Sequence, residues 1–307
     1  MEPTLWAIGA LLLLLLLGIP LGFGMGLVGA AAFALTTGWE PTLGMVGVTT
    51  VNAVLNYNFS VLPLFVLMGS LFAHSRMAEE LYAAAYAFFG HRPGGLAMST
   101  IVACGGFSAV SGSAMACAAT MTRVSVPMMQ RYGYAPSFAA GTVAAGATLD
   151  ILIPPSNPMV IYAIITETDL GKLMAAGFLP GVLTIACYLA VIVAVAYFLP
   201  RWAPAGQRTD WNERWRALRN VWSMVLLFTV VLGGIYFGIF TPTEAAGIGA
   251  FGAFVIALAR GRLSWASLIA MLVETARTTT VLFMVLIGAL LFANFVTIAG
   301  GPSELEA

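Results

Sequence analysis

The sequence predicts an all-α polytopic membrane protein, and three observations predict it. Only 8% of the 307 residues are charged while 60% are hydrophobic, and mean hydropathy is +0.95. A soluble domain carries about 25% charged residues. The few charges leave long uncharged runs, Trp6–Gly38, Phe178–Pro200 and Val221–Phe240, each long enough to be read as transmembrane. The basic residues are also bunched: Arg201, Arg208, Arg214, Arg216 and Arg219 share the segment "RWAPAGQRTDWNERWRALRN". Lys and Arg accumulate in cytoplasmic loops, so this segment is placed in the cytoplasm.

The elements follow in order from that anchor. The first run lacks a basic leader and stays apolar past Pro20 to Leu35, which reads as retained structure and not as a secretory signal. Segments 4–17 and 21–37 make a pair broken at Gly18–Ile19–Pro20. Segment 60–75 runs inward to His74–Arg76, and 77–89 is an amphipathic stretch on the cytoplasmic surface. Arg92 and Arg131 both favour the cytoplasm, and the first arm between them, roughly 95–107, falls short of the ~20 residues a full span needs. Segment 94–131 is therefore predicted to be a re-entrant hairpin. Segment 135–168 is a broken span running outward, and 178–200 returns inward, leaving Lys172 outside. Segments 221–240 and 245–259 form a helical hairpin that brings Arg260 and Arg262 back to the cytoplasm. A surface stretch, 264–277, and a span, 278–297, complete the chain.

The order of broken pair, surface stretch and span thus occurs twice, the second time from the opposite side. Inverted repeats of this kind are a transporter architecture. By that logic a second hairpin and a second broken helix would follow, but the sequence stops at "GGPSELEA". The expected division is 1–93 for scaffold helices and the surface helix, 94–168 for the transport element, 169–220 for a span and the Arg/Trp loop, and 221–307 for an incomplete second repeat.

Several function classes are set aside by composition. Thirteen basic residues balance thirteen acidic ones, which argues against a nucleic-acid partner. Cys104, Cys117 and Cys187 lie in apolar segments at no metal-ligand spacing and read as small packing residues. A serine nucleophile at Ser111 or Ser113 would need a base within reach, and His74 and His91 fall at the cytoplasmic edge. No enzyme is expected.

Two places are polar at membrane depth. The first is "FSAVSGSAMACAATM", 107–121. Small residues allow close helix packing, but Gly112 between Ser111 and Ser113 breaks a helix by propensity and lies where the hairpin must turn. Unpaired backbone groups there are tolerated only in buried or water-lined sites. The second is "LDILIPPSNPMVIY", 149–162, where Pro154, Pro155 and Pro158 interrupt a helix by removing backbone donors. Ser156 and Asn157 then stand at the start of its second half, and discontinuous helices near the midplane hold substrates and coupling ions. Asp150 is a carboxylate within the span, costly and so informative. Cation ligand, proton carrier and cap on free N–H groups all fit it. Glu244, after Pro242 and Thr243, reads as a helix cap, and Glu167, Asp169 and Glu274 as interfacial.

Together "SAVSGSAMACAATM", "MMQRYGY", "LIPPSNPMVIYAIITETDLGKLMAAGFLPG" and "GIFTPTEAAGIGAF" resemble the large membrane subunit of TRAP (tripartite ATP-independent periplasmic) transporters, over essentially the whole chain. The resemblance implies an elevator-type, sodium-driven transporter of the bacterial inner membrane, embedded in lipid and without a cofactor or transition metal. It implies a small membrane subunit, a periplasmic solute-binding protein and a small organic acid, such as a dicarboxylate, as partners. Carried over residue by residue, it implies Ser111 and Ser113 with Ser156 as substrate contacts, to which the half-helix start adds Asn157. It implies Gly112, Ser113, Pro154 and Pro155 at the sodium site, beside Asp150. Asp150 departs from the glycine or small residue expected there. Family members also carry a second hairpin and a second break with a TPP-type motif, so the chain is expected to be a fragment or truncated frame; the alternative is a non-transporting remnant that inserts and binds the small subunit.

Overall fold

The computed structural model describes residues 2–261 and 263–300, so Arg262 and the terminal "GPSELEA" lie outside the described residues. Fourteen α-helices follow one another among them, and no strand. They are α1 Glu2–Leu16, α2 Leu21–Thr37, α3 Trp39–Leu55, α4 Val61–His74, α5 Met77–Phe89, α6 Gly95–Ser111 and α7 Ala114–Arg131. After these come α8 Pro136–Ala147, α9 Asn157–Ile165, α10 Leu170–Phe198, α11 Trp211–Asn220, α12 Trp222–Tyr236, α13 Pro242–Ala259 and α14 Trp265–Ile298. Four helical segments among the described residues are long and apolar enough to cross a membrane: Tyr57–His74, Leu170–Phe198, Pro242–Ala259 and Trp265–Ile298.

The helices pack as two units, 1–59 with 276–307, and 60–275. This grouping follows contact between helices and not order along the chain. In the first unit α2 approaches the second part of α14 through glycines. A Cβ at Gly22 would lie 2.7 Å from the Met284 backbone, and one at Gly29 2.7 Å from Phe292 N. In the second unit α13 packs on α4 along a stripe of Ala245, Ala246, Gly249, Ala250, Ala253 and Ala257. Both are the small-residue seams by which membrane helices gain contact without a hydrophobic driving force.

The core of the second unit surrounds α6. That helix is buried along almost its whole length, as a helix apolar on all sides must be. Its Leu96, Ile101 and Phe107 share one core cluster with Tyr82, Met121, Met129 and Leu149. By contrast α10 has only 11% of its most apolar window buried, leaving a lipid-facing surface. The ends expected in the cytoplasm gather at one place. Arg260 pairs with Glu80 and donates to Ser223 Oγ at 2.8 Å and Asn220 O at 3.0 Å.

Four expectations change. The first hairpin arm runs to Ser111, not 107, because nothing before Gly112 breaks the helix. Residues 211–220 of the predicted loop form α11, a run of good helix formers behind Asp210, bent 46° from α12. The surface stretch and span after 264 are one continuous helix, α14, since no Gly or Pro interrupts 265–287. Residues 39–55, left without an element, form α3. The cap before α13 centres on Thr241: its side chain accepts from Glu244 N at 3.3 Å while Glu244 accepts from Thr241 N at 2.8 Å, a reciprocal capping box.

Candidate functional site

The turn between α6 and α7 is built by local chemistry. Gly112 ends α6 at φ 56, a left-handed conformation that glycine adopts without cost. Ser113 is extended and caps α7, accepting from Ala116 N at 3.3 Å. From Gly95 to Ser111 the arm is 17 residues, about 25 Å at 1.5 Å per residue, against a hydrocarbon thickness of about 30 Å. The tip therefore lies at membrane depth when the Gly95 foot sits at the surface.

The break in the second segment meets this tip. After α8 comes a short 3-10 turn, Thr148–Ile151, and helix resumes at Asn157 with Ser156 as its first cap. The Pro154–Pro155 peptide is cis. Asn157 Nδ2 donates to Gly112 O at 2.6 Å. A Cβ at Gly112 would lie 3.3 Å from both Asn157 Nδ2 and Pro155 O, so only glycine fits this approach comfortably. Ser111 Oγ makes a longer bond to Asp150 Oδ1 at 3.4 Å, and the Asp150 carboxylate also faces the backbone N–H groups of Ser113 and Ala114. Asp150 thus stands at the N-terminus of α7, where a carboxylate is favoured by the free donors and the helix dipole.

The structure therefore draws together Ser111, Gly112, Ser113, Asp150, Pro155 and Asn157. Ser156 lies between two of them, and Pro154, next to Pro155, is also buried. Ser111, Asp150, Ser156 and Asn157 are all buried. Two oxygens in this group, Ser156 Oγ and Asn157 Oδ1, have no hydrogen-bond partner. Buried polar atoms are normally satisfied, and these two are exceptions. Hydroxyl, amide and carbonyl oxygens suit a hard cation. Among the described residues no group of three His, Cys, Asp or Glu side chains could hold a metal ion.

Residues that sequence reading did not assign complete the setting. Gly69 of α4 lets that helix touch the tip, since a Cβ there would lie 2.6 Å from Ser111 Cα. Gly177 and Gly181 of α10 do the same for the break; a Cβ at Gly177 would come 2.8 Å from Leu152 O and one at Gly181 3.0 Å from Ile153. The signal was present as small residues inside apolar spans, but it does not say what each will touch.

An all-helical chain with several apolar helices long enough to cross a membrane belongs to the class of multi-pass α-helical membrane proteins. Residues 8–307 match the family described as tripartite ATP-independent periplasmic transporter, DctM component, and the chain belongs to that family. Its members are transporter components and not enzymes. The C4-dicarboxylate TRAP transporter large permease protein DctM of Pseudomonas aeruginosa is 37% identical over 82% of this chain and 59% of its own length. The protein of the same description from Rhodobacter capsulatus is 32% identical over 97% of this chain and 70% of its own. The sialic acid TRAP transporter large permease protein SiaM of Vibrio cholerae is 31% identical over 91% and 65%. The chain thus spans about three fifths to seven tenths of the length of these curated relatives.

Proposed function

We propose that this chain acts as the permease subunit of a sodium-coupled secondary transporter in the bacterial inner membrane, importing a small organic acid. The observation that carries the reading is the junction of Gly112 with Asn157, flanked by two buried oxygens that lack partners. In this reading Ser156 Oγ and Asn157 Oδ1, with the backbone carbonyls of Gly112 and Pro155, supply oxygens to sodium. The substrate carboxylate meets the start of α9 and the hydroxyls of Ser113 and Ser156, since helix N-termini favour anions. Asp150 holds the tip from behind through Ser111 and the first N–H groups of α7.

Relatives named for a C4-dicarboxylate and for sialic acid support a small carboxylate as cargo. A periplasmic solute-binding protein would deliver it, and a small TRAP membrane subunit would share the scaffold. Intertwined inverted repeats and elevator movement are part of the proposal. Their support is an exchange of partners: α2, from the first broken pair, lies on the span of the second copy, while α13, from the second pair, lies on α4 from the first.

The test is uptake into proteoliposomes containing this permease, the small subunit and a binding protein, with a panel of radiolabelled carboxylates. Uptake driven by an inward sodium gradient is expected. Uptake indifferent to sodium, or none with any carboxylate, would overturn the reading.

A further inference from the structure

We infer that the cytoplasmic foot of the hairpin binds an anionic phospholipid, with the headgroup on the arginines around His91 and an acyl chain in an apolar groove beside Trp202. The arginine cluster orients the chain, but orientation needs only charge on one side of the membrane. The structure does more with this segment. Residues 202–207 are strapped across three elements: Gly94 N donates to Ala203 O at 2.8 Å, Gly206 N to Gly90 O at 2.9 Å and Ala135 N to Trp202 O at 3.3 Å. Gln207 N donates to Tyr86 Oη at 3.2 Å, and that hydroxyl pairs with Tyr132 Oη at 3.2 Å.

This strap fixes where the following guanidiniums stand. Arg214 Nε donates to Ala87 O at 3.0 Å, and the group lies 5.2 Å from the Trp211 ring and 5.9 Å from the Phe88 ring. Arg214, Arg92 and Arg208 all lie close enough to act electrostatically on His91, whose Nδ1 is sealed from solvent without a partner. Arg92 and Arg208 are exposed. Positive charge gathered around one imidazole in this way favours an anion at the foot.

A groove of about 400 Å³ opens beside the same foot, lined by Ile101, Phe138, Thr142, Tyr188, Ile192 and Trp202. Gly94 seats the foot against its wall, as a Cβ there would lie 2.9 Å from Ile192. Trp202, Trp211, Trp215 and Trp222 are all exposed, which is the place of tryptophan at a headgroup boundary. Basic residues just beyond a span, an aromatic rim and an adjoining apolar groove together fit a lipid better than a free anion, which has no use for the groove.

The test uses the purified chain in mild detergent with equal amounts of phosphatidylglycerol and phosphatidylcholine of matched chains, read by native mass spectrometry. Phosphatidylglycerol should be retained roughly fivefold over phosphatidylcholine. The Arg92→Gln/Arg208→Gln variant, altering two exposed side chains, should bring that preference to about one. Gly141→Leu, at an exposed groove position where a Cβ meets nothing within 4 Å, should lower retention of the lipid several-fold while thermal unfolding stays unchanged. Equal retention of the two lipids overturns the inference, as does a preference that survives the double variant. Unaltered retention in Gly141→Leu, or displacement of the lipid by millimolar inorganic phosphate, also overturns it.

Discussion

Asn157 Nδ2 reaches the Gly112 carbonyl at 2.6 Å across 45 residues of sequence, so one side-chain amide ties the hairpin tip to the restart of the broken helix. Asp150 adds a second tie, accepting from Ser111 Oγ at 3.4 Å. Removing the amide leaves a buried carbonyl without that donor, which costs about 1–3 kcal/mol. Asn157→Leu should lower stability by this amount in thermal or denaturant unfolding of the detergent-solubilised chain. A loss below about 0.5 kcal/mol, the range of ordinary surface changes, would show that the bond is not a structural tie.

Gly112→Ala should be harmful for two reasons at once. A side chain at φ 56 is strained by about 1–2 kcal/mol, and its Cβ would press on Asn157 and Pro155 at 3.3 Å. Gly233→Ala, inside α12 with nothing within 4 Å of the added carbon, should instead be neutral or stabilising by up to about 1 kcal/mol. Melting temperatures of the two variants, measured side by side, separate backbone strain from the mere loss of a glycine.

Asp150 is expected to act as a cap on α7. Asp150→Asn keeps an acceptor facing Ser111, Ser113 and Ala114, and should retain stability together with an unchanged sodium dependence of uptake. Asp150→Ala removes the acceptor and should cost about 1–2 kcal/mol. If Asp150→Asn raises the half-saturating sodium concentration tenfold while the fold is intact, the carboxylate is a cation ligand and the capping role is wrong.

Ser156 offers the converse test. Its Oγ is buried without a partner, so Ser156→Ala removes no hydrogen bond and should not lower stability, yet should weaken sodium-driven uptake. The Ser113→Leu/Ser156→Leu double substitution should abolish uptake while membrane insertion persists. Normal transport by that variant would remove both serines from the site.

His91 makes one pH-dependent contribution outside the spans. Burial, and then Arg214, Arg92 and Arg208, hold its imidazole below the ordinary value of 6.5. The folded chain therefore prefers neutral His91, and the unfolded chain takes up a proton first as pH falls. Stability should be full above pH 6.5 and decline below it, and His91→Gln should flatten that decline. Parallel melting curves for the wild type and His91→Gln from pH 7.5 to 5 would contradict this.

What lay in the sequence was local. Scarce charge and long apolar runs determined the class, because the bilayer core accepts only helices or closed barrels. Ser111–Gly112–Ser113 and the prolines at 154, 155 and 158 determined where helix must break, since propensity and a missing donor act within a few residues. Pro242 and Glu244 marked a helix start in the same way, while the capping hydroxyl proved to be that of Thr241. Tertiary structure alone decided which distant groups meet: Gly112 with Asn157, Ser111 with Asp150 and the Gly69 backbone, Gly177 with Leu152. It also turned Asp150 toward α7. Those outcomes depend on the packing of several helices at once, and a helical pattern states which face is apolar without naming the surface it will bury against.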